Sequence, residues 1–284
     1  KLQNKGLRNR YIGIISGENL KSEFFSEDTK DLLIYSLNFL SSNLSTEKQQ
    51  IKDYLPTVAH GGGGYQGRTY SNSIDALNAN YNSYDLFEID FSWTSDNHLV
   101  CIHDWKGRFK SVFSKDYEGP ISLEEFNELN KKKINEKKCT IYSLTEWLRI
   151  NPNAIIVTDI KRRNIEALKL IKNKFPELQK RFIPQIHKPI EYFHARSLGF
   201  KDIIWALYSY RENNEKILQR LKLMNLYGLA IPKSRAYSEL AAKAYNTSGV
   251  LSWAHTINSE DEFKELKRSG INQIYTTFLK STKP

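Results

Sequence analysis

Cysteine is scarce in this chain: Cys101 and Cys139 are the only two among 284 residues. Two cannot build a disulfide framework, and no zinc-type Cys/His spacing accompanies them. Well-separated cysteines of this kind are expected as free thiols, with one bridge in an oxidising compartment as the alternative. Long apolar runs are also missing. None approaches the ~20 residues that a membrane-spanning helix needs, so this stretch of chain does not read as an integral membrane protein. Zinc-finger, RNA-recognition and helix-turn-helix signatures are absent, which argues against a nucleic-acid partner. There is no short internal repeat and no low-complexity tract. A dinucleotide loop is missing as well. Gly61, Gly62, Gly63 and Gly64 follow a strand candidate, but the spacing needs a further glycine where Gln66 stands.

What remains is an ordinary globular composition, 40% hydrophobic and 26% charged. The length suits one barrel of roughly 250 residues with a short extension. The formal net charge is +10, a field that attracts polyanions, anionic lipid headgroups and phosphorylated small molecules. Lys131, Lys132, Lys133, Lys137 and Lys138 cluster and read as a solvated face, with a phosphate-bearing partner as the alternative. The first residue is Lys1 rather than Met, so a leader or an upstream region is expected to be missing, and a removed leader would make the protein secreted or periplasmic. The compartment itself is not legible.

Residues 1–54 read as a helical extension, because Leu33, Leu37 and Leu40 recur at helical spacing behind Glu27 and Asp28. A shorter helix is expected near Thr46–Tyr54. From residue 55 to 284 short β-rich runs alternate with helices. The strand candidates are Thr57–His60, Leu86–Ser92, Leu99–His103, Ala154–Ile160, Phe182–Ile186, Asp202–Tyr208, Leu226–Ile231, Val250–Thr256 and Gln273–Thr277. Capping pairs at Ser122/Glu125, Ser143/Glu146 and Ser259/Glu262 mark helix starts. Such alternation predicts an α/β (β/α)8 TIM-type barrel, with a doubly wound sheet as the rival. One strand candidate is surplus to eight positions, and Leu86–Ser92 with Leu99–His103 is the pair that shares a position or leaves the barrel.

Inward residues near the carboxyl ends of barrel strands line the site in this architecture. In Phe87-Glu88-Ile89-Asp90-Phe91 the apolar side chains share one face, so Glu88 and Asp90 point inward together. Lone buried carboxylates are costly, and a hard divalent cation with oxygen ligands explains the pair. Asp159 and Lys161 share a face at the end of another strand. Asp159 is a candidate third ligand and Lys161 a candidate phosphate contact, with a routine surface ion pair as the alternative. His60 and His103 end strand candidates and suit acid–base work. His98, His187 and His194 read as surface or supporting residues, and His255 as a possible site-lining one. Residues 105–140, rich in aromatics and lysine, form an insertion that is either a lid near the site or a packed excursion.

The series His60-Gly61-Gly62, Asn72-Ser73, Glu88-Ile89-Asp90, Thr94-Ser95-Asp96, Val100 and His103-Asp104 resembles the glycerophosphodiester phosphodiesterase family, within the phosphatidylinositol-phospholipase-C-like superfamily. Asp159-Ile160-Lys161 and Trp253 continue the likeness to the C-terminus. The resemblance implies a barrel hydrolase with Mg²⁺ or Ca²⁺ on Glu88, Asp90 and Asp159, catalysis by His60 and His103, and Lys161 on the phosphate. Trp253 joins as a candidate substrate contact. Gly61 departs from the pattern, since an arginine usually follows the first histidine, and Arg68 is the candidate replacement. The expected partner is a small or lipid-derived phosphodiester, with peripheral membrane contact as an open question. The alternatives are phospholipase or sphingomyelinase-D-like action on intact lipids, and a non-catalytic phospho-ligand barrel.

Overall fold

A computed structural model describes residues 56–116 and 119–280. The helices expected within residues 1–54 lie outside the described residues. Strand β1 (Val58–Ala59) runs into a 3-10 turn, His60–Gly62, and helix α1 (Ile74–Asn80) is capped by the Ser73 hydroxyl. Strand β2 (Leu86–Asp90) precedes a short pair, β3 (Ser92–Trp93) and β4 (Leu99–Val100). Helices α2 (Gly107–Phe113), α3 (Leu123–Lys131) and α4 (Ile141–Ile150) follow. The chain then alternates: β5 (Ile155–Asp159), α5 (Asn164–Lys174), β6 (Phe182–Ile186), α6 (Pro189–Ser197), β7 (Ile204–Ala206) and α7 (Asn214–Leu221). It ends with β8 (Gly228–Pro232), α8 (Lys233–Ala236), α9 (Leu240–Ser248), β9 (Leu251–His255), α10 (Glu260–Arg268) and β10 (Gln273–Thr276).

Ser122 and Ser259 cap α3 and α10 as expected, each accepting from the backbone N–H three residues on. Helix α4 starts earlier than expected. Thr140 and not Ser143 is its cap, because the two hydroxyls satisfy each other's backbone N–H groups reciprocally.

Eight parallel strands close in the order β1, β2, β5, β6, β7, β8, β9, β10 and back to β1. Closure rules out the doubly wound sheet. The surplus candidate lies off the barrel: Leu99 and Val100 pair antiparallel with Trp93 and Ser92, so His103 does not end a barrel strand.

The barrel interior is two-tiered, and strand parity explains it. Val58, Leu86, Val157, Ile183, Ile204, Ala230, Trp253 and Tyr275 point inward and form one apolar floor. Gly228 leaves the space that Trp253 fills, since a Cβ there would come within 2.1 Å of the indole ring. The indole N–H donates to the Pro56 carbonyl at 3.0 Å, and its ring stacks on Tyr227. Trp253 is fully buried in this floor, so the expected substrate contact is corrected to a packing residue. Two residues beyond the floor positions come His60, Glu88, Asp159 and His255, and two beyond Glu88, Gln185 and Ala206 come Asp90, His187 and Tyr208. The polar tier sits on the apolar one.

The excursion between β2 and α4 carries its own small core of Val100, Ile102, Phe109, Ile121, Phe126 and Leu129. Cys101 and Cys139 form a disulfide at its base, which corrects the expectation of free thiols. The Cys101 N–H donates to the Cys139 carbonyl at 2.7 Å, and this pairing holds the two Cα atoms 5.0 Å apart, within bridging range. Lys138 is likewise not part of a solvated face. Its side chain is buried, donating to the Ser71 carbonyl and lying 3.5 Å from Glu136.

Candidate active site at the barrel mouth

Strand register brings the acids together. β2 and β5 pair in parallel with Asp90 opposite Asp159, and Glu88 lies one inward position deeper. Ligand oxygens of Glu88, Asp90 and Asp159 lie within 4.8 Å of one another, and all three residues are buried. The Lys161 ammonium stands 3.1 Å from Asp90 Oδ1 and 3.2 Å from Asp159 Oδ2. One lysine against three carboxylates leaves an excess equal to the charge of a divalent cation. All three ligands offer hard oxygen, as Mg²⁺ and Ca²⁺ prefer. Asp159 Oδ1 is buried and forms no hydrogen bond of good geometry among the described residues, with the His187 ring 3.2 Å away. These residues fit such an ion.

Each acid is also held in place. Asn72 donates from its amide to Asp90 Oδ2 at 2.9 Å, while its carbonyl accepts the Asp90 backbone N–H at 3.0 Å. The Gly61 N–H donates to Glu88 Oε2 at 2.8 Å. Tyr208 donates to Asp159 Oδ2 at 2.5 Å, and His187 Nε2 stands 3.2 Å from the other oxygen. Burial and the neighbouring Asp90 and Asp159 push Glu88 well above the usual carboxylate range. Burial would raise Asp159 too, but His187, Lys161 and Tyr208 outweigh it and hold that acid well below the usual range. Two carboxylates on neighbouring strands are thus driven apart in basicity.

The histidines flank the acids. His60 Nε2 lies 3.9 Å from Glu88 Oε2, and His103 Nε2 lies 3.9 Å from Asp90 Oδ1. His60 is buried, and burial together with nearby His255 lowers its pKa well below the ordinary value. His103 arrives from the excursion, its Nδ1 2.8 Å from Asp104 Oδ2. Asp104 in turn accepts the backbone N–H groups of Lys106 and Arg108 at the start of α2, which fixes the ring from behind. Tyr70 packs edge-on between them, 4.5 Å from the His60 ring and 5.5 Å from that of His103.

Six expected site residues therefore converge: His60, Glu88, Asp90, His103, Asp159 and Lys161. Arg68 does not join them. It is largely exposed and pairs with Glu136 at 2.9 Å. The departure at Gly61 has a steric cause. Its φ is +59°, and a Cβ would come within 2.8 Å of the Tyr70 Cα. Sequence reasoning set His187 aside and passed over Tyr208 and Tyr70. The signal for the first two was parity: His187 stands two residues after inward Gln185, and Tyr208 two after inward Ala206. His255, weighed as a site-lining residue, packs 4.6 Å from the His60 ring and 5.7 Å from Tyr208.

A closed parallel barrel with an acid–lysine–histidine cluster at its carboxyl end is a common enzyme layout. Residues 60–279 match the model of the glycerophosphoryl diester phosphodiesterase family, and the chain belongs to that family of phosphoric diester hydrolases. Its fold is similar to that of a glycerophosphodiester phosphodiesterase from Thermotoga maritima, with a TM-score of 0.63 at 19% identity over 80% of this chain and 96% of that one. A glycerophosphodiester phosphodiesterase from Parabacteroides distasonis gives 0.61 at 17% identity, over 78% and 92%. An Oleispira antarctica phosphodiesterase, in complex with the product sn-glycerol-3-phosphate, gives 0.59 at 16% identity, over 79% and 93%. No curated protein matches the chain in sequence. Among the described residues no helix is long and apolar enough to cross a membrane.

Proposed function

We propose that the barrel hydrolyses a glycerophosphodiester at phosphorus, with Glu88, Asp90 and Asp159 as ligands for Mg²⁺ or Ca²⁺ and with His60 and His103 as the acid–base pair. The observation that carries this reading is the buried trio of carboxylates with an imidazole 3.9 Å from each of two of them. The cation, when bound, supplies Lewis-acid stabilisation of charge on the phosphoryl group. Lys161, at 38% side-chain exposure, would meet a non-bridging oxygen. The two imidazoles take a proton from the attacking hydroxyl or water and return one to the departing alkoxide. Tyr70 keeps their rings apart, and Asp104 holds His103 in one orientation. The Cys101–Cys139 bridge supports a secreted or periplasmic location, where disulfides persist.

Release of glycerol phosphate from a glycerophosphodiester, followed with and without chelator, tests the reading. Activity should vanish with chelator and return with Mg²⁺ or Ca²⁺. Undiminished turnover in chelator overturns it. A second reading, action on intact lipid at a membrane surface, draws on Ile134, which is 93% exposed beside Lys131, Lys132 and Lys133. Salt-sensitive binding to phosphatidylserine vesicles separates the two.

A further inference from the structure

The excursion places a guanidinium beside His103 that the proposed hydrolysis does not use. Arg108 lies in the first turn of α2, where its backbone N–H is fixed by Asp104. Its guanidinium carbon stands 4.0 Å from the centroid of the Tyr70 ring. It forms no ion pair with any described carboxylate, and Asp104, which accepts its backbone N–H, is also engaged by His103 and by the Lys106 N–H. Tyr70, Asn72, His103, Val112 and Lys138 line the same hollow. The Lys138 ammonium is anchored there by Ser71 and Glu136, and Glu136 also carries Arg68, so the hollow keeps a positive balance.

Position separates this cation from the phosphate site. Lys161 sits on the carboxylates themselves, whereas Arg108 lies against the ring of Tyr70, which itself packs edge-on against both imidazoles, and Arg108 pairs with none of the three acids. A group held at Arg108 would therefore belong to a different part of the substrate from a phosphoryl oxygen held at Lys161. A guanidinium laid against an aromatic ring is preorganised, and its fork suits carboxylate and phosphate oxygens. The geometry points to a subsite, centred on Arg108, for a second anionic group, a carboxylate or a phosphate, on the alcohol portion of the phosphodiester. This rests on the hydrolase reading above and names the class of substrate within it.

Calorimetric titration of the cation-loaded protein tests the subsite without requiring turnover. Phosphoserine and phosphoethanolamine differ by one carboxylate, and glycerol bisphosphate and glycerol phosphate differ by one phosphate. Wild type should favour the more anionic member of at least one pair by about tenfold, the scale of a charge-assisted hydrogen bond. A preference confined to one pair identifies the group. Arg108→Gln should bring that ratio to about one, and Arg108→Lys should keep part of it. A wild type that binds no ligand, or shows no preference, overturns the subsite. So does a preference that survives Arg108→Gln, or equal weakening of all four ligands, which would put Arg108 on the shared phosphate. If preference is present but no phosphodiester is cleaved, the hydrolase reading fails while the subsite stands. If cleavage is present without preference, only the subsite fails.

Discussion

Trp253 and His255 stand two residues apart on β9 and face the same way, yet one belongs to the barrel floor and the other to its mouth. The floor is apolar, tightly filled and cut off from solvent. The mouth packs three carboxylates, a lysine and imidazoles into the next tier up. Along one strand face the chain passes from groups that lower the energy of the fold to groups that raise it. Carboxylates this close in a poorly solvated setting repel one another, and only partners or an ion offset the cost. The mouth is therefore where stability is exchanged for chemistry.

The largest contrast should come from one truncation in each tier. His60→Ala should lower kcat by about 10²–10⁴-fold with little change in melting temperature. Trp253→Ala should cost about 3–5 kcal/mol in denaturant unfolding, through loss of a large buried ring. Equal effects of the two on both readouts would break the two-tier picture. A smaller effect of opposite sign sharpens it. In chelator, Glu88→Gln should raise the melting temperature by about 2–4 °C, the response of a domain this size to ~1 kcal/mol, because one of three mutually repelling charges is gone. The amide oxygen can still accept the Gly61 N–H. Calorimetry showing a lower melting temperature would place the carboxylate among the stabilising groups.

A further effect, read from pH, lies at the edge of the mouth. Burial brings the Lys138 ammonium down to about 8, with Glu136 opposing the shift. Its folded pKa is below its unfolded value, so the folded state loses this proton first. Stability from this group is therefore lowest below pH 8 and is regained as pH rises towards the ordinary lysine value. Relative to Lys138→Met, wild-type melting temperature should climb between pH 8 and about 10.5. A flat difference across that window would remove the burial cost from Lys138.

The barrel was readable because its alternation is regular, and Glu88 and Asp90 were readable because apolar neighbours forced them inward. Asp159 and Lys161 followed from the same periodicity. Trp253 was assigned through the resemblance, which marks the strand but not the height along it, and height decides between floor and mouth. His103 illustrates a different limit. The turn Ser95-Asp96-Asn97 left open whether Leu99–His103 shares a barrel position or leaves the barrel, and only the pairing of β3 with β4 decides for leaving. The disulfide stayed hidden because backbone pairing across the excursion, rather than spacing, brings Cys101 to Cys139. Arg108 was hidden for the same reason, since only folding lays α2 against Tyr70.

The separate core of the excursion has an evolutionary consequence. Phe109, Phe126 and their neighbours bury one another without drawing on the barrel floor. The segment is in effect a cassette fastened at its base by a covalent clasp. Its tip can be lengthened, trimmed or recharged while the eight strands behind it keep their register. Lineages that share this scaffold can diversify what they admit to the pocket by rewriting that cassette alone.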